Sequence, residues 1–146
     1  GLWIVPPWNK GLTKNDHPSL MEISKQQTWK QTKSTMYQIG RRYEYRVKKQ
    51  LEKIGYWVVR SAGSKFPDII ALKKGDGFLG ECKASKKRLQ NPVKYLNPVE
   101  YEMAMQMVNK TGLPFYLFYK LGRRIKVLAV GGLGALKAND LEMLMR

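Results

Sequence analysis

The sequence predicts an α/β domain, a mixed β-sheet flanked by helices, behind a basic amino-terminal arm. Three observations lead there: apolar residues at helical spacing after Gly40, short strand-like runs broken by turn residues, and a capped helix that divides the strands into three and two. A chain of 146 residues suffices for one well-buried domain and is too short for two ordinary ones, so any further segment is an appendage. There is no internal repeat.

Residues 1–39 are punctuated by Trp3, Pro6, Pro7, Trp8, Gly11 and Pro18 within a stretch rich in Lys, Thr, Ser and Gln, and read as an arm. Inside it, residues 18–33 predict a helix capped near Asp16 or His17, although Leu20, Met21, Ile23 and Trp29 make only a partial stripe. The domain, residues 40–146, opens with Tyr43, Val47, Leu51 and Ile54 on one helix face, and Gly55 stops that helix after about four turns. Strands are expected over residues 56–60, 68–73 and 78–83. The last two form a hairpin around Lys74, Gly75, Asp76 and Gly77. Asn97, Pro98 and Glu100 supply a cap, a first-turn proline and a capping-box carboxylate for a helix ending near Thr111 and Gly112. Strands over residues 113–119 and Arg124–Val130 follow, and Asp140 caps a short last helix.

Lys and Arg number 27 against 11 Asp and Glu, a net charge of +16 that costs self-repulsion and points to a polyanionic partner. A membrane partner is disfavoured, because no apolar run approaches the ~18 residues of a span and no signal-peptide pattern is present. The single cysteine, Cys82, excludes an internal disulfide framework and fits a reducing compartment. The single histidine, His17, leaves too few ligands for a Cys/His zinc site or a histidine-metal nuclease. Chemistry must therefore rest on carboxylates, lysines or hydroxyls.

With Gly75 and Asp76 as the hairpin loop, Lys74 pairs with Gly77, Asp68 lies opposite Lys83 and Ile70 opposite Glu81. Asp68, Glu81 and Lys83 then share one face of interior strands, where charges are expensive unless paired or metal-bound. Glu44 borders the apolar stripe of the first helix and adds a third carboxylate, or simply pairs with Lys48. Oxygen ligands select Mg²⁺, with Mn²⁺ as substitute, and such a cation suits phosphodiester hydrolysis. Lys83 orients the attacking water or stabilises charge building on the phosphate. The Cys82 thiol points to the opposite face, and its backbone carbonyl is a candidate metal ligand. Arg60 ends a strand and suits a bidentate phosphate clamp, whereas residues 61–64 also fit a simple turn.

The stretch GYWVVRSAGSKFPDIIA from Gly55 to Ala71, followed by Glu81-Cys82-Lys83, resembles the archaeal-type Holliday junction resolvases of the PD-(D/E)xK nuclease superfamily. The likeness runs from about Gly40 through Tyr119 and is densest between Val58 and Lys83. It implies a restriction-endonuclease-like fold, a homodimer and paired magnesium-dependent incisions across branched double-stranded DNA. Carried over by position, it makes Glu44 the helix carboxylate, Asp68 and Glu81 metal ligands and Lys83 the catalytic lysine, with Arg60, Ser61 and Ser64 near the scissile phosphate. Where the family often places a basic residue after its helix glutamate, this chain has Tyr45. Phosphate contact from that helix then falls to Arg41, Arg42 or Arg46.

Further DNA contacts are expected from Lys65, from Lys86, Lys87, Arg88 and Lys94 beyond the third strand, and from Lys10 and Lys14 in the arm. Residues 7–14 look like a short DNA-binding element attached to phage and homing nucleases, or form an arm that threads onto DNA or the partner subunit. Val99, Met103, Met107, Ala104, Met105 and Val108 cover more than one face of their helix, which leaves surface for a dimer contact. The expected activity is resolution of four-way junctions. The competing readings are a homing or repair endonuclease of the same fold and a non-catalytic nucleic-acid-binding protein. The expected location is the cytoplasm, in association with the nucleoid, or the host cytoplasm for a phage or viral chain.

Overall fold

The computed structural model describes residues 35–62 and 65–146. The predicted arm helix, Lys10, Lys14 and Ser64 lie outside them. The elements run α1 (Met36–Lys53), β1 (Trp57–Arg60), β2 (Ile69–Lys73), β3 (Asp76–Lys83), a 3-10 turn (Pro92–Tyr95), α2 (Pro98–Thr111), β4 (Phe115–Leu121), β5 (Arg124–Val130) and α3 (Ala135–Leu144). The five strands form one sheet in sequence order, antiparallel except for the parallel β3–β4 pair, which α2 connects. No helix among the described residues is long and apolar enough to cross a membrane.

The period-two alternation of the strands sorts two cores onto the two faces of this sheet. Ile69, Ala71, Phe78, Tyr116, Phe118, Ile125 and Val127 meet Tyr43, Val47 and Leu51 of α1 and Ala138 and Leu141 of α3. Leu79, Phe115, Leu117 and Val130 meet Ala104 and Val108 of α2 on the other face, together with Leu96. The apolar surplus expected on α2 is partly absorbed here: Met105 and Met107 pack against this second core, while Val99 remains exposed.

Three expectations are corrected. The first helix begins at Met36, ahead of Gly40, because its leading turn carries no core residue to announce it: Met36 and Tyr37 are exposed. The β2–β3 loop is Lys74-Gly75, with Lys73 paired to Asp76 and Ile70 to Leu79, and Gly75 holds the left-handed φ of 72° that the turn needs. Asp76 is kept in β3 by the Tyr56 hydroxyl, which donates to its carboxylate at 2.5 Å, and by an ion pair to Lys137. The register is thus displaced from the expected one by two residues. A two-residue displacement preserves which face each side chain takes, so Asp68, Glu81 and Lys83 still fall on one face, that of α2. Asp140 caps nothing: it lies inside α3, whose N-cap is Gly134.

The second helix forms as its sequence dictates. Asn97 accepts from the Glu100 amide at 2.8 Å, Glu100 accepts from the Asn97 amide at 3.0 Å, and Gly112 closes the helix in the left-handed region.

Candidate active site

Asp68 stands one residue before β2, just past the last paired position, Ile69 with Gly80. Freed from the ladder, its backbone N–H donates to Glu81 Oε1 at 3.0 Å, and its own Oδ2 accepts from the Cys82 N–H at 2.8 Å. The two carboxylates are therefore tied to each other's strands, and they are the buried charged residues of the core, 9% and 6% exposed. Burial, and then the negative charge of Asp68, push the Glu81 carboxyl up to about 9.

Lys83, two residues further along the same face, sits 3.7 Å from Glu81 and 3.0 Å from Glu100. Its hydrogen bonds to the two Glu100 oxygens, at 3.0 and 3.2 Å, and the negative charge around it outweigh burial and hold its ammonium above the usual lysine range. Glu100 was foreseen only as part of a helix cap. Its second role requires the first turn of α2 to lie against the end of β3, a tertiary juxtaposition that no local pattern encodes.

Across the sheet end, Glu44 on α1 receives Arg60 Nε at 3.1 Å, and the Arg60 guanidinium lies 4.8 Å from the Tyr45 ring centroid. Tyr45 thus serves as a platform for the Arg60 guanidinium, which gives a physical reason for an aromatic residue after Glu44. Burial and the charge of Asp68 raise the Glu44 carboxyl against the opposing pull of Arg60. Arg41, Glu44, Arg60 and Ser61 line a cleft of about 440 Å³ beside this pair. The Ser61 hydroxyl donates to the Pro67 carbonyl at 2.5 Å and its N–H to Asp68 O at 2.8 Å, so Ser61 closes the turn that positions Asp68. Cys82 packs its side chain against the α1-side core, as expected, and burial raises its thiol far above the ordinary range.

Of the predicted DNA contacts, Lys65, Lys86, Lys87, Arg88 and Lys94 are exposed. Tyr95 pins the basic loop by donating to the Lys87 carbonyl and accepting from the Leu89 N–H. Arg41 lines the cleft of Arg60 and Arg42 is exposed on the same helix, but Arg46 turns away and donates to the Arg123 carbonyl.

The residues fit a hard divalent cation by charge. Four carboxylates, of Glu44, Asp68, Glu81 and Glu100, meet two directly paired cations, of Arg60 and Lys83, in a chain whose net charge is +16. Among the described residues no three carboxylate, thiol or imidazole groups converge on one point. Glu44 is engaged with Arg60, so the carboxylates placed to hold an ion are the pair Asp68 and Glu81, a number that suits Mg²⁺ with water or phosphate completing its shell.

This geometry has known relatives. Crossover junction endodeoxyribonuclease Hjc of Methanocaldococcus jannaschii is 49% identical over 51 residues, a match that spans 35% of this chain and 38% of that protein. The solved structure of Archaeoglobus fulgidus Hjc superposes with a TM-score of 0.54 at 28% identity, covering 63% of this chain and 73% of that one. The family model for the archaeal Holliday junction resolvase (Hjc) matches residues 35–139, which take in every residue of the site described above. The chain therefore belongs to the archaeal Holliday junction resolvase (Hjc) family.

Proposed function

We propose that this protein is an endonuclease that resolves four-way DNA junctions by divalent-cation-dependent hydrolysis, working as a homodimer in the cytoplasm with one incision per subunit. The observation that carries the reading is the buried pair Asp68 and Glu81 on one sheet face with Lys83. Asp68, Glu81 and the Cys82 carbonyl would hold Mg²⁺ or Mn²⁺, which when bound polarises the phosphate and lowers the pKa of a coordinated water. Lys83, fixed between Glu81 and Glu100, orients the attacking water and offsets the charge that builds on the phosphate oxygens. Arg60, anchored through Nε by Glu44 and held over the Tyr45 ring, directs its remaining nitrogens to the phosphate of the strand lying in the adjoining cleft. Glu44 acts through Arg60 as a positioning residue. Lys65, Lys86, Lys87, Arg88 and Lys94 meet flanking backbone phosphates.

The test pits a four-way junction against linear duplexes of matched arm sequence in Mg²⁺. Junctions should be cut and duplexes spared; efficient cutting of linear DNA with junctions ignored would replace this reading with a homing or repair nuclease. Asp68→Asn and Glu81→Gln should each abolish cleavage, with a loss of at least about a thousandfold as removed ligation and electrostatics imply, while junction binding survives. Retained cleavage in both variants would remove this site from the chemistry.

A further inference from the structure

Parallel pairing of β3 with β4, Lys83 beside Tyr119, brings the carboxyl ends of the two strands together. The β4–β5 turn starts after Leu121, roughly 7 Å further along at about 3.3 Å per residue, and so projects from the same sheet end as the site above. Beside this turn is a cavity of about 190 Å³ lined by Arg46 of α1, Arg123 of the turn, Arg124 and Lys126 of β5, and Glu142 and Arg146 of the carboxyl-terminal helix region. Ile125 and Met145, each 5% exposed, form an apolar floor.

Glu142 is the one side-chain carboxylate of the lining, and it is committed: Lys126 Nζ lies 3.0 Å from it and the Val127 N–H donates to it at 2.8 Å. Four guanidinium groups are left around the cavity, and among the described residues no carboxylate pairs with any of them. Arg46 spends one N–H on the Arg123 carbonyl, which ties α1 to the turn and holds the cluster together. Four like charges over an apolar floor focus a positive field outward, an arrangement that favours an anion. The guanidinium fork matches a phosphate oxygen pair.

We propose that this cavity is a second phosphate-binding site, which grips the backbone of a DNA arm away from the bond that is cut. The inference rests on the DNA substrate proposed above. The cavity lies past the end of β4 from Lys83 and on the α1 and α3 side of the sheet, so the linkage held there is not the scissile one. Arg46, expected to contact phosphate near Glu44, does so here instead.

Replacing Arg123 and Arg124 together by Gln tests this. Junction Kd should rise about tenfold or more near 0.1 M salt, and the slope of log K against log salt should fall by about two, one for each lost phosphate contact. The double Lys variant, which keeps the charge, should retain the slope. Junctions bearing one neutral methylphosphonate at each linkage in turn locate the contact. The unaltered protein should lose affinity at one or more linkages away from the cut, and the Gln double variant should be indifferent there. A Gln variant with unaltered Kd and slope, or one with the same methylphosphonate profile as the parent, would overturn the inference. Failure of the parent protein to bind junctions would instead overturn the function proposed above.

Discussion

Lys83 is held from two directions, by Glu81 on its own strand and by Glu100 from the first turn of α2, and the second hold is what fixes where its ammonium points. Glu100 also closes a helix cap, so the two roles must be separated by substitution. Glu100→Gln keeps a capping-box side chain and loses the ion pair; it should leave stability within about 0.5 kcal/mol and slow cleavage by about tenfold to a hundredfold. Asn97→Ala removes the cap and should cost about 1 kcal/mol in denaturant unfolding with cleavage retained. Equal slowing in both would make Glu100 merely a fold residue. The Glu81 carboxyl, raised to about 9 in the folded chain from 4.5, binds its proton more tightly folded than unfolded. Its contribution to stability is complete below about pH 4.5 and is lost as pH rises through about 9, so metal-free protein should melt progressively lower over that window. Glu81→Gln should flatten the trend in thermal melts with chelator present. A variant that keeps the parent's slope would assign the titration elsewhere.

The hairpin of β2 and β3 decides whether the site exists. Gly80, paired with Ile69 and preceding Glu81, has no room for a side chain: a Cβ there would stand 2.8 Å from Ile69 Cγ1 and 2.8 Å from Phe118 Cε2, both rigid core residues. Gly80→Ala should therefore destabilise by about 1–3 kcal/mol in chemical denaturation, with loss of cleavage as Glu81 is displaced. An unchanged midpoint would show that the sheet yields more easily than its packing indicates. The same hairpin shows how far local reasoning reaches. Its turn composition announced a two-residue loop, but which two residues form it depended on Asp76 meeting Tyr56 and Lys137, partners brought in by β1's approach and by α3.

At the scale of the whole molecule, the carboxylates of Glu44, Asp68, Glu81 and Glu100 gather at one end of the sheet in a chain whose net charge is +16. That arrangement allows a cation and a polyanion to approach the same place. Binding to the junction is expected to be strongly salt-dependent for that reason. A homodimer cutting once per subunit should convert a cruciform plasmid directly to linear DNA. Accumulation of nicked circles would indicate subunits that act independently.

Much of this was legible in the chain itself. Hydrophobic patterning placed the body of the first helix and all five strands, because burial of one face imposes a period that survives in sequence, and the capping box placed the second helix. The face shared by Asp68, Glu81 and Lys83 was also predictable, since alternation along a strand has period two and tolerates a displacement of two residues. Sequence by itself thus determined the strands, the cap of α2 and the acidic pair. Only the tertiary structure decided the hairpin register, the role of Tyr45 beneath Arg60, the second duty of Glu100 and the turning of Arg46 toward the β4–β5 turn. Each of these is a contact between residues distant along the chain, set by how α1 and α2 pack on the sheet, and a one-dimensional pattern records that a face is buried without recording what buries it.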